Sequence, residues 1–450
     1  MSNQISRRNF LAAGGAAALL SGVAHTELVA ADVSASGIPA ILGGTPLSLG
    51  SVPRWPMLEG DEDKMLMEVL NSRIWFRTEN HKVATFERFF AEMNGAKHCV
   101  ATNGGTSALI TALSALDVGP GDEVITSPYT FVATINSIHE HFALPTVADV
   151  DIETFQVDPV KVDAACTENT TVLMPVHIGG SPADMDAFME IGARRNLAVV
   201  EDACQAHVGK WRDKYLGAIG TAGCFSFQET KHLASGEGGA VLTNDDALAA
   251  KVYASHTNGF SRDRNTGNPN FIATRCRNNR MVEFVAAILL AQAVGVERNA
   301  ELRQENGMYL NELLSEIPGI APAKLYPGAT RSAWHMYMFR IIREEFGIDR
   351  RRFVAAMRAE NIRLSTGFAP IDWVEFTKET YSTKAARRVY SEKDLADWAE
   401  RVGDLPMFKR LCDEALFFNQ SLLLGPRRNM EIIADAIRRI QRNAGRIATT

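Results

Sequence analysis

An aspartate and a lysine, 29 residues apart, are the side chains of this sequence best suited to carry out chemistry. Asp202 ends an apolar run, 198–202, and Lys231 follows a second apolar run, 224–228. Both runs have the composition of buried strands. An amine that bonds to an aldehyde and a carboxylate that keeps a pyridine nitrogen protonated are the two groups that pyridoxal phosphate chemistry requires. The pair therefore predicts a pyridoxal phosphate site.

Such a site also needs groups that hold a phosphate, and the sequence offers them after an earlier strand. The run 98–102 leads through Gly104, Gly105 and Thr106 into a segment with helical periodicity. Backbone N–H groups at a helix N-terminus form an anion site, and the Thr106 hydroxyl adds a donor. The glycines of the 236–239 turn (GEGG) allow a tight turn or a close backbone approach.

The elements that must position these residues follow an alternating pattern. Helical segments at 107–116, 130–141 and 183–196 separate several of the apolar runs. Seven strands are predicted, at 98–102, 123–127, 146–150, 172–177, 198–202, 224–228 and 240–243. The alternation predicts an α/β fold with a mostly parallel seven-stranded sheet, in which ligands bind at the strand ends.

The rest of the chain divides around this large domain. We expect a signal peptide at 1–31, an N-terminal arm at 32–95, the large cofactor-binding domain at 96–318 and a small C-terminal α/β domain at 319–450. A long helix is predicted over 282–317, a strand over 333–342 and helices over 351–360 and 430–440.

Composition excludes several classes of protein. A formal net charge of −6, with no basic block beyond the N-terminus, argues against a nucleic-acid partner. The longest uncharged apolar run, 10–24, is shorter than a membrane-spanning helix needs, so no membrane anchor is expected. The six cysteines lack CxxC spacing, and no metal site is predicted.

The N-terminus predicts export. Arg7 and Arg8 precede a weakly apolar stretch rich in alanine and glycine, and small residues follow it. This arrangement resembles a twin-arginine signal, which directs folded proteins out of the cytoplasm. We therefore expect a periplasmic or extracytoplasmic location.

Seven stretches of the chain, in order, resemble the DegT/StrS family of pyridoxal phosphate-dependent sugar aminotransferases. They are 105–106 (GT), 128–134 (PYTFVAT), 175–186 (PVHIGGSPADMD), 201–207 (EDACQAH), 226–231 (SFQETK), 236–239 (GEGG) and 278–281 (NNRM). The segment 42–46 (LGGTP) and the ending 415–425 are most similar to the branch that acts on keto-inositols with glutamine as amino donor.

The resemblance assigns roles by motif position. It implies a fold-type I aminotransferase in which Lys231 forms the Schiff base, Asp202 pairs with the pyridinium nitrogen and Gln205 donates to the phenolic oxygen. Residues that would bind the phosphate are Gly105, Thr106, Ser226 and, from the neighbouring subunit of a homodimer, Asn278. Phe131, or alternatively Tyr129, would stack on the cofactor ring. His177 and His207 would support the site without touching the reacting atoms.

The resulting expectation is an aminotransferase that moves an amino group from glutamate or glutamine to a keto-sugar or keto-cyclitol. A sugar dehydratase that uses the same cofactor and a non-catalytic exported binding protein are the alternatives. Substrate contacts are expected from the N-terminal arm, from the loop that contains Arg262 and Arg264, and from the 366–370 turn.

Overall fold

The computed structural model describes residues 37–78, 80–261 and 271–449. The predicted signal peptide, Arg262 and Arg264 lie outside these residues.

A seven-stranded sheet forms the centre of the large domain. Its strands are β1 (His98–Thr102), β2 (Glu123–Thr126), β3 (Leu144–Val147), β4 (Thr170–Met174), β5 (Ala198–Asp202), β8 (Ala222–Ser226) and β9 (Gly239–Thr243), and the short β6 (Lys210–Trp211) and β7 (Lys214–Tyr215) lie outside it.

The order of the strands across this sheet is β1-β9-β8-β5-β4-β2-β3. Strands β3, β2, β4, β5 and β8 run parallel to one another, and β9 runs antiparallel to both of its neighbours. The predicted α/β class with a mostly parallel sheet is therefore confirmed. The carboxyl ends of β1, β2, β5 and β8 meet at one edge, because β1 is antiparallel to β9 and thus parallel to β8.

Helices cover the sheet and build the remainder of the chain. The helices among the described residues are α1 (Glu62–Ser72), α2 (Lys82–Met93), α3 (Gly105–Ala115), α4 (Val132–His139), α5 (Pro159–Ala165), α6 (Met185–Arg195), α7 (Asp246–His256), α8 (Glu283–Gln292), α9 (Val296–Ser315), α10 (Arg343–Phe346), α11 (Arg350–Ala359), α12 (Trp373–Thr380), α13 (Glu392–Val402), α14 (Pro406–Glu414), α15 (Arg428–Arg442) and α16 (Ala444–Ile447). Within the described part of the chain, no helix combines the length and apolarity needed to cross a bilayer.

Two smaller sheets complete the fold. One contains β10 (Ile320–Pro322), β12 (Met336–Ile341), β14 (Ala415–Asn419) and β13 (Ser365–Thr366), in that order, with antiparallel pairing. The other places β11 (Ala329–Arg331) beside β6 and β7. Helices α9, α11 and α15 pack on the four-stranded sheet around a separate apolar core that includes Leu310, Phe339, Phe353 and Ile437.

A fully buried glutamate fixes the central strand end. Glu201 of β5 accepts N–H groups from Gly217 (2.7 Å), Ile219 (2.8 Å) and Gly220 (2.7 Å). His177 Nδ1 accepts from the Ala183 N–H, so its Nε2 carries the proton and donates to Glu201 at 3.0 Å. Every donor here is matched, and the network ties the loop before β8 to the strand that carries Asp202.

Candidate active site

One cavity of about 570 Å³ lies where the carboxyl ends of the parallel strands meet. It brings together seven of the eight residues that the sequence assigns to the site: Gly105, Thr106, Phe131, Asp202, Gln205, Ser226 and Lys231. Asn278 does not line this cavity and its side chain is exposed. The residues come from four strand ends, since Gly105 follows β1, Phe131 follows β2, and Asp202 and Ser226 end β5 and β8.

The candidate nucleophile, Lys231, projects from a tight turn after β8. The turn is closed by a hydrogen bond from the Lys231 N–H to the Gln228 carbonyl (2.8 Å), and Gln420 donates to the Thr230 carbonyl (2.6 Å). Lys231 Nζ lies 3.4 Å from His335 Nε2. Burial lowers the pKa of the Lys231 amine, an effect that the nearby Asp202 carboxylate partly offsets. A larger neutral fraction makes the amine a better nucleophile and base.

Asp202 is 5% exposed and is held by two donors. Its Oδ2 accepts the Thr134 hydroxyl at 2.8 Å, and its Oδ1 accepts the Cys204 N–H at 3.2 Å. The Thr130 hydroxyl lies 2.8 Å from that of Thr134, which extends the network to a second threonine that lines the cavity. Because each carboxylate oxygen has two lone pairs, Asp202 keeps acceptor capacity for a protonated ring nitrogen.

The phosphate cradle predicted from the glycines has the required shape. Gly105 is the first residue of α3, whose initial N–H groups have no acceptor within the helix. A Cβ at Gly105 would lie 2.6 Å from the Cβ of Ser226, so only glycine allows this approach. A Cβ at Gly239 would collide with the Gly104 carbonyl oxygen. Helix N–H groups together with the Thr106 and Ser226 hydroxyls form a donor set that suits a phosphate.

The two candidate stacking residues occupy different environments. Phe131, the N-cap of α4, lines the cavity and is 59% exposed. Tyr129 is 2% exposed, packs edge-on against Phe155 and Phe368, and is not among the residues that line the cavity. This placement favours Phe131, and the stacking role itself stays a prediction.

The structure shows how Gln205 is oriented, and it adds lining residues to which no role is assigned from the sequence. Gln205 Oε1 accepts the Gly179 N–H at 2.8 Å, which leaves its Nε2 amide as the donor for the cavity. His335 and Phe368 arrive from the C-terminal part of the chain, and Thr134 from α4. Thr134 belongs to the 128–134 motif and Phe368 to the 366–370 turn from which substrate contacts are expected, whereas nothing in the local sequence marks His335.

Comparison with known proteins places the chain in a family. The sequence pattern of the DegT/DnrJ/EryC1/StrS aminotransferase family matches residues 56–417. A solved structure of 3-amino-5-hydroxybenzoic acid synthase superposes with a TM-score of 0.74 at 30% identity, over 87% of this chain and 99% of that chain.

Curated relatives extend over most of the chain. Spore coat polysaccharide biosynthesis protein SpsC of Bacillus subtilis (strain 168) is 34% identical over 366 residues, 80% of this chain and 92% of SpsC. The L-glutamine:2-deoxy-scyllo-inosose aminotransferase of Streptoalloteichus tenebrarius is 32% identical over 426 residues, 91% of this chain and 98% of that protein.

Proposed function

Because the chain belongs to the DegT/DnrJ/EryC1/StrS aminotransferase family, we propose that this pyridoxal phosphate-dependent transaminase moves an amino group from glutamine or glutamate to an inosose-like keto-cyclitol or a related keto-sugar. The observation that carries the proposal is the convergence of Lys231, Asp202, Gln205 and the glycine cradle on one cavity. The relatives named as L-glutamine:inosose aminotransferases, which match about nine-tenths of the chain, support the choice of substrate class. The dehydratase and non-catalytic alternatives are not favoured by these relatives.

The residues present fit the cofactor. The α3 N-terminus, Thr106 and Ser226 would hold its phosphate, Asp202 its ring nitrogen and Lys231 its aldehyde carbon. When bound, pyridoxal phosphate supplies an electron sink for negative charge that develops at the carbon beside the amino nitrogen.

Lys231 and Asp202 divide the remaining work. Lys231 would hold the cofactor through its amine. Once an amino substrate has taken its place, the neutral Lys231 amine would take the proton from the substrate carbon that bears nitrogen and deliver it to the cofactor's former aldehyde carbon. Asp202, fixed by Thr134 and Cys204, would accept a hydrogen bond from the ring N–H of the cofactor and so keep that nitrogen protonated.

The proposed reaction is tested by its two halves. Loaded enzyme is mixed with glutamine, glutamate or alanine without a ketone, and the cofactor absorbance is followed. We expect conversion to the amino form with glutamine or glutamate, and reversal when 2-deoxy-scyllo-inosose is added. A dehydratase would release water without consuming a donor. Unchanged absorbance with all donors would contradict a transaminase of this donor class.

Thr134 provides a sharper probe of the Asp202 network. We expect Thr134→Val to lower kcat about tenfold, because a hydrogen bond to a charged group contributes roughly 1.5–3 kcal/mol. The pH titration of the cofactor absorbance should shift in the same variant, whereas Thr134→Ser should restore both properties. Wild-type kcat and titration in Thr134→Val would show that the hydroxyl does not position Asp202.

We further propose a homodimer whose active sites are shared. The support is a pair of exposed aromatic side chains, one in contact with Arg280 and the other seven residues before Asn278 in the chain. Phe76, which packs under Arg280, and Phe271 are 58% and 61% exposed. The neighbouring Asn279 carbonyl accepts the Asn103 N–H at 2.8 Å, which places the 278–280 segment next to the phosphate cradle. A second copy would cover the aromatic residues and bring its Asn278 to this cradle.

Mixing two inactive variants tests the shared site. Lys231→Ala and Asn278→Ala impair the same site from different subunits, so a mixed dimer regains one intact site. Random exchange of subunits between equal amounts of the two variants should restore about a quarter of wild-type activity, because half of the dimers are mixed and each has one intact site. Lys231→Ala mixed with Lys231→Ala, Asn278→Ala serves as the control and should stay inactive. No recovery from the first mixture, with subunit exchange verified by mass, would contradict the shared site.

We also propose export by the twin-arginine route, on the sequence pattern around Arg7 and Arg8 alone. Replacing both arginines by lysine should retain full-length protein in the cytoplasm, whereas wild-type protein should appear shortened in the periplasm. An unprocessed cytoplasmic wild-type chain would contradict export.

A further inference from the structure

A buried arginine behind the active site has no hydrogen-bond or ion-pair partner among the described residues. Arg303 of α9 is 0% exposed, and its Nε, Nη1 and Nη2 atoms are buried without a hydrogen bond. Burial lowers the pKa of this guanidinium to about 9, and the negative charge of Glu59 opposes the effect. The group therefore remains a cation at neutral pH, without an ion pair among the described residues.

The groups around Arg303 are also donors without acceptors. The guanidinium carbon lies 5.2 Å from the centre of the Trp55 ring, and the Trp55 Nε1 is buried and unbonded. His232 is 3% exposed, with both ring nitrogens unbonded. Its ring centre lies 5.6 Å from that of His335. Burial holds the pKa of His232 well below its usual range, so the neutral ring offers one N–H.

Two side-chain acceptors that could serve Arg303, the acidic Glu59 and the adjacent Gln304, already accept hydrogen bonds from other residues. Glu59 binds the side chains of Arg298 (2.7 Å) and Asn299 (2.9 Å). Gln304 Oε1 accepts from the Trp334 ring N–H (2.7 Å). Among the described residues, no hydrogen bond or ion pair thus supplies Arg303 with negative charge, although burying an unpaired charge is strongly unfavourable.

We propose that Arg303, Trp55 and His232 form a binding site for a small inorganic monoanion such as chloride. Bound water would satisfy the N–H groups but would leave the guanidinium charge uncompensated, whereas a monoanion does both. We expect an anion with a single negative charge rather than phosphate, because Arg303 is the one cation among these three residues.

This site is distinct from the cofactor cavity. Arg303, Trp55 and His232 are not among the residues that line that cavity, and His335 and Lys231 lie between. The inference therefore does not depend on the identity of the ketone or of the amino donor.

The direct test uses crystals of the wild-type holoenzyme grown in sodium bromide. We expect an anomalous peak within about 3.5 Å of an Arg303 guanidinium nitrogen. In solution, replacing gluconate by chloride at constant ionic strength should raise the Tm of wild-type holoenzyme by about 1–2 °C. The same exchange should leave the Tm of Arg303→Met unchanged.

Matched variants separate the site from general salt effects. Arg358→Met removes an exposed cation and should keep the full chloride effect. Trp55→Phe retains the ring face, removes one N–H and should weaken the chloride dependence, which keeps the test valid if Arg303→Met does not fold. Water alone at Arg303 would overturn the proposal. A bromide peak without stabilisation by chloride would mean an adventitious ion only, and it would also overturn the proposal. Equal stabilisation of wild type and Arg303→Met by chloride would do the same.

Discussion

Replacement of Lys231 by alanine is expected to abolish covalent attachment of pyridoxal phosphate and to lower transaminase turnover by about 10⁴-fold or more. The reason is that one amine has two tasks, bonding to the aldehyde carbon and moving a proton at the substrate carbon. Its burial and lowered pKa suit it to both. The measurement is borohydride reduction of the holoenzyme followed by intact-mass analysis, with turnover determined on the same preparations.

The matched control is Lys324→Ala, which removes an exposed lysine that pairs with Glu153 at 2.9 Å. This variant should take up one reduced cofactor per chain and keep wild-type turnover. The proposal for Lys231 is wrong if Lys231→Ala still acquires the cofactor mass on another lysine and transaminates at a comparable rate.

The second large effect is expected at Asp202. Asp202→Asn preserves the size of the side chain and can keep the Thr134 contact, but a neutral amide cannot hold the ring nitrogen protonated. We expect the half-reaction with glutamine to slow by about 10²- to 10⁴-fold, which corresponds to roughly 3–5 kcal/mol at 1.36 kcal/mol per tenfold change. Stopped-flow absorbance with saturating donor measures this rate.

Asp186→Asn is the control for Asp202, since it removes an exposed carboxylate that pairs with Arg212. Its half-reaction rate should equal that of wild type. A rate for Asp202→Asn within twofold of wild type would mean that the ring nitrogen is protonated by some other group.

Where local composition alone determines an element, the sequence predicts it well. The bounds of β1 and β5 agree with the predicted runs 98–102 and 198–202. Each strand contains three consecutive apolar residues, 99–101 in β1 and 198–200 in β5, and this run marks it in the sequence. The predicted cofactor-binding residues other than Asn278 are equally local, because each lies within a motif that comes at or after a strand end.

Elements that depend on tertiary context were placed less well. The third strand was predicted at 146–150 but lies at Leu144–Val147. It includes Pro145, which β3 tolerates because it is an edge strand. The single helix predicted over 282–317 is divided by a 3₁₀ turn, Ala293–Gly295. A side chain at Gly295 would collide with the carboxylate of Glu59 from the N-terminal arm, a contact that periodicity does not contain.

The same limit applies to the site. His335 is 104 residues from Lys231, and Thr134 is 68 residues from Asp202. No spacing rule connects such pairs. The lack of a hydrogen bond to the Arg303 guanidinium likewise becomes evident only when α9, the N-terminal arm and the turn after Lys231 are packed together.

The adjacent carboxylates of β5 have a consequence for how mutations at this strand should be scored. Glu201 has its hydrogen bonds completed within the protein, whereas Asp202 faces the cavity with acceptor capacity to spare. A library screened separately for cellular abundance and for turnover should therefore assign the two neighbours to different phenotypes. Substitutions of Glu201 should deplete folded protein, and substitutions of Asp202 should leave abundant but inactive protein, because catalytic carboxylates are not optimised for stability.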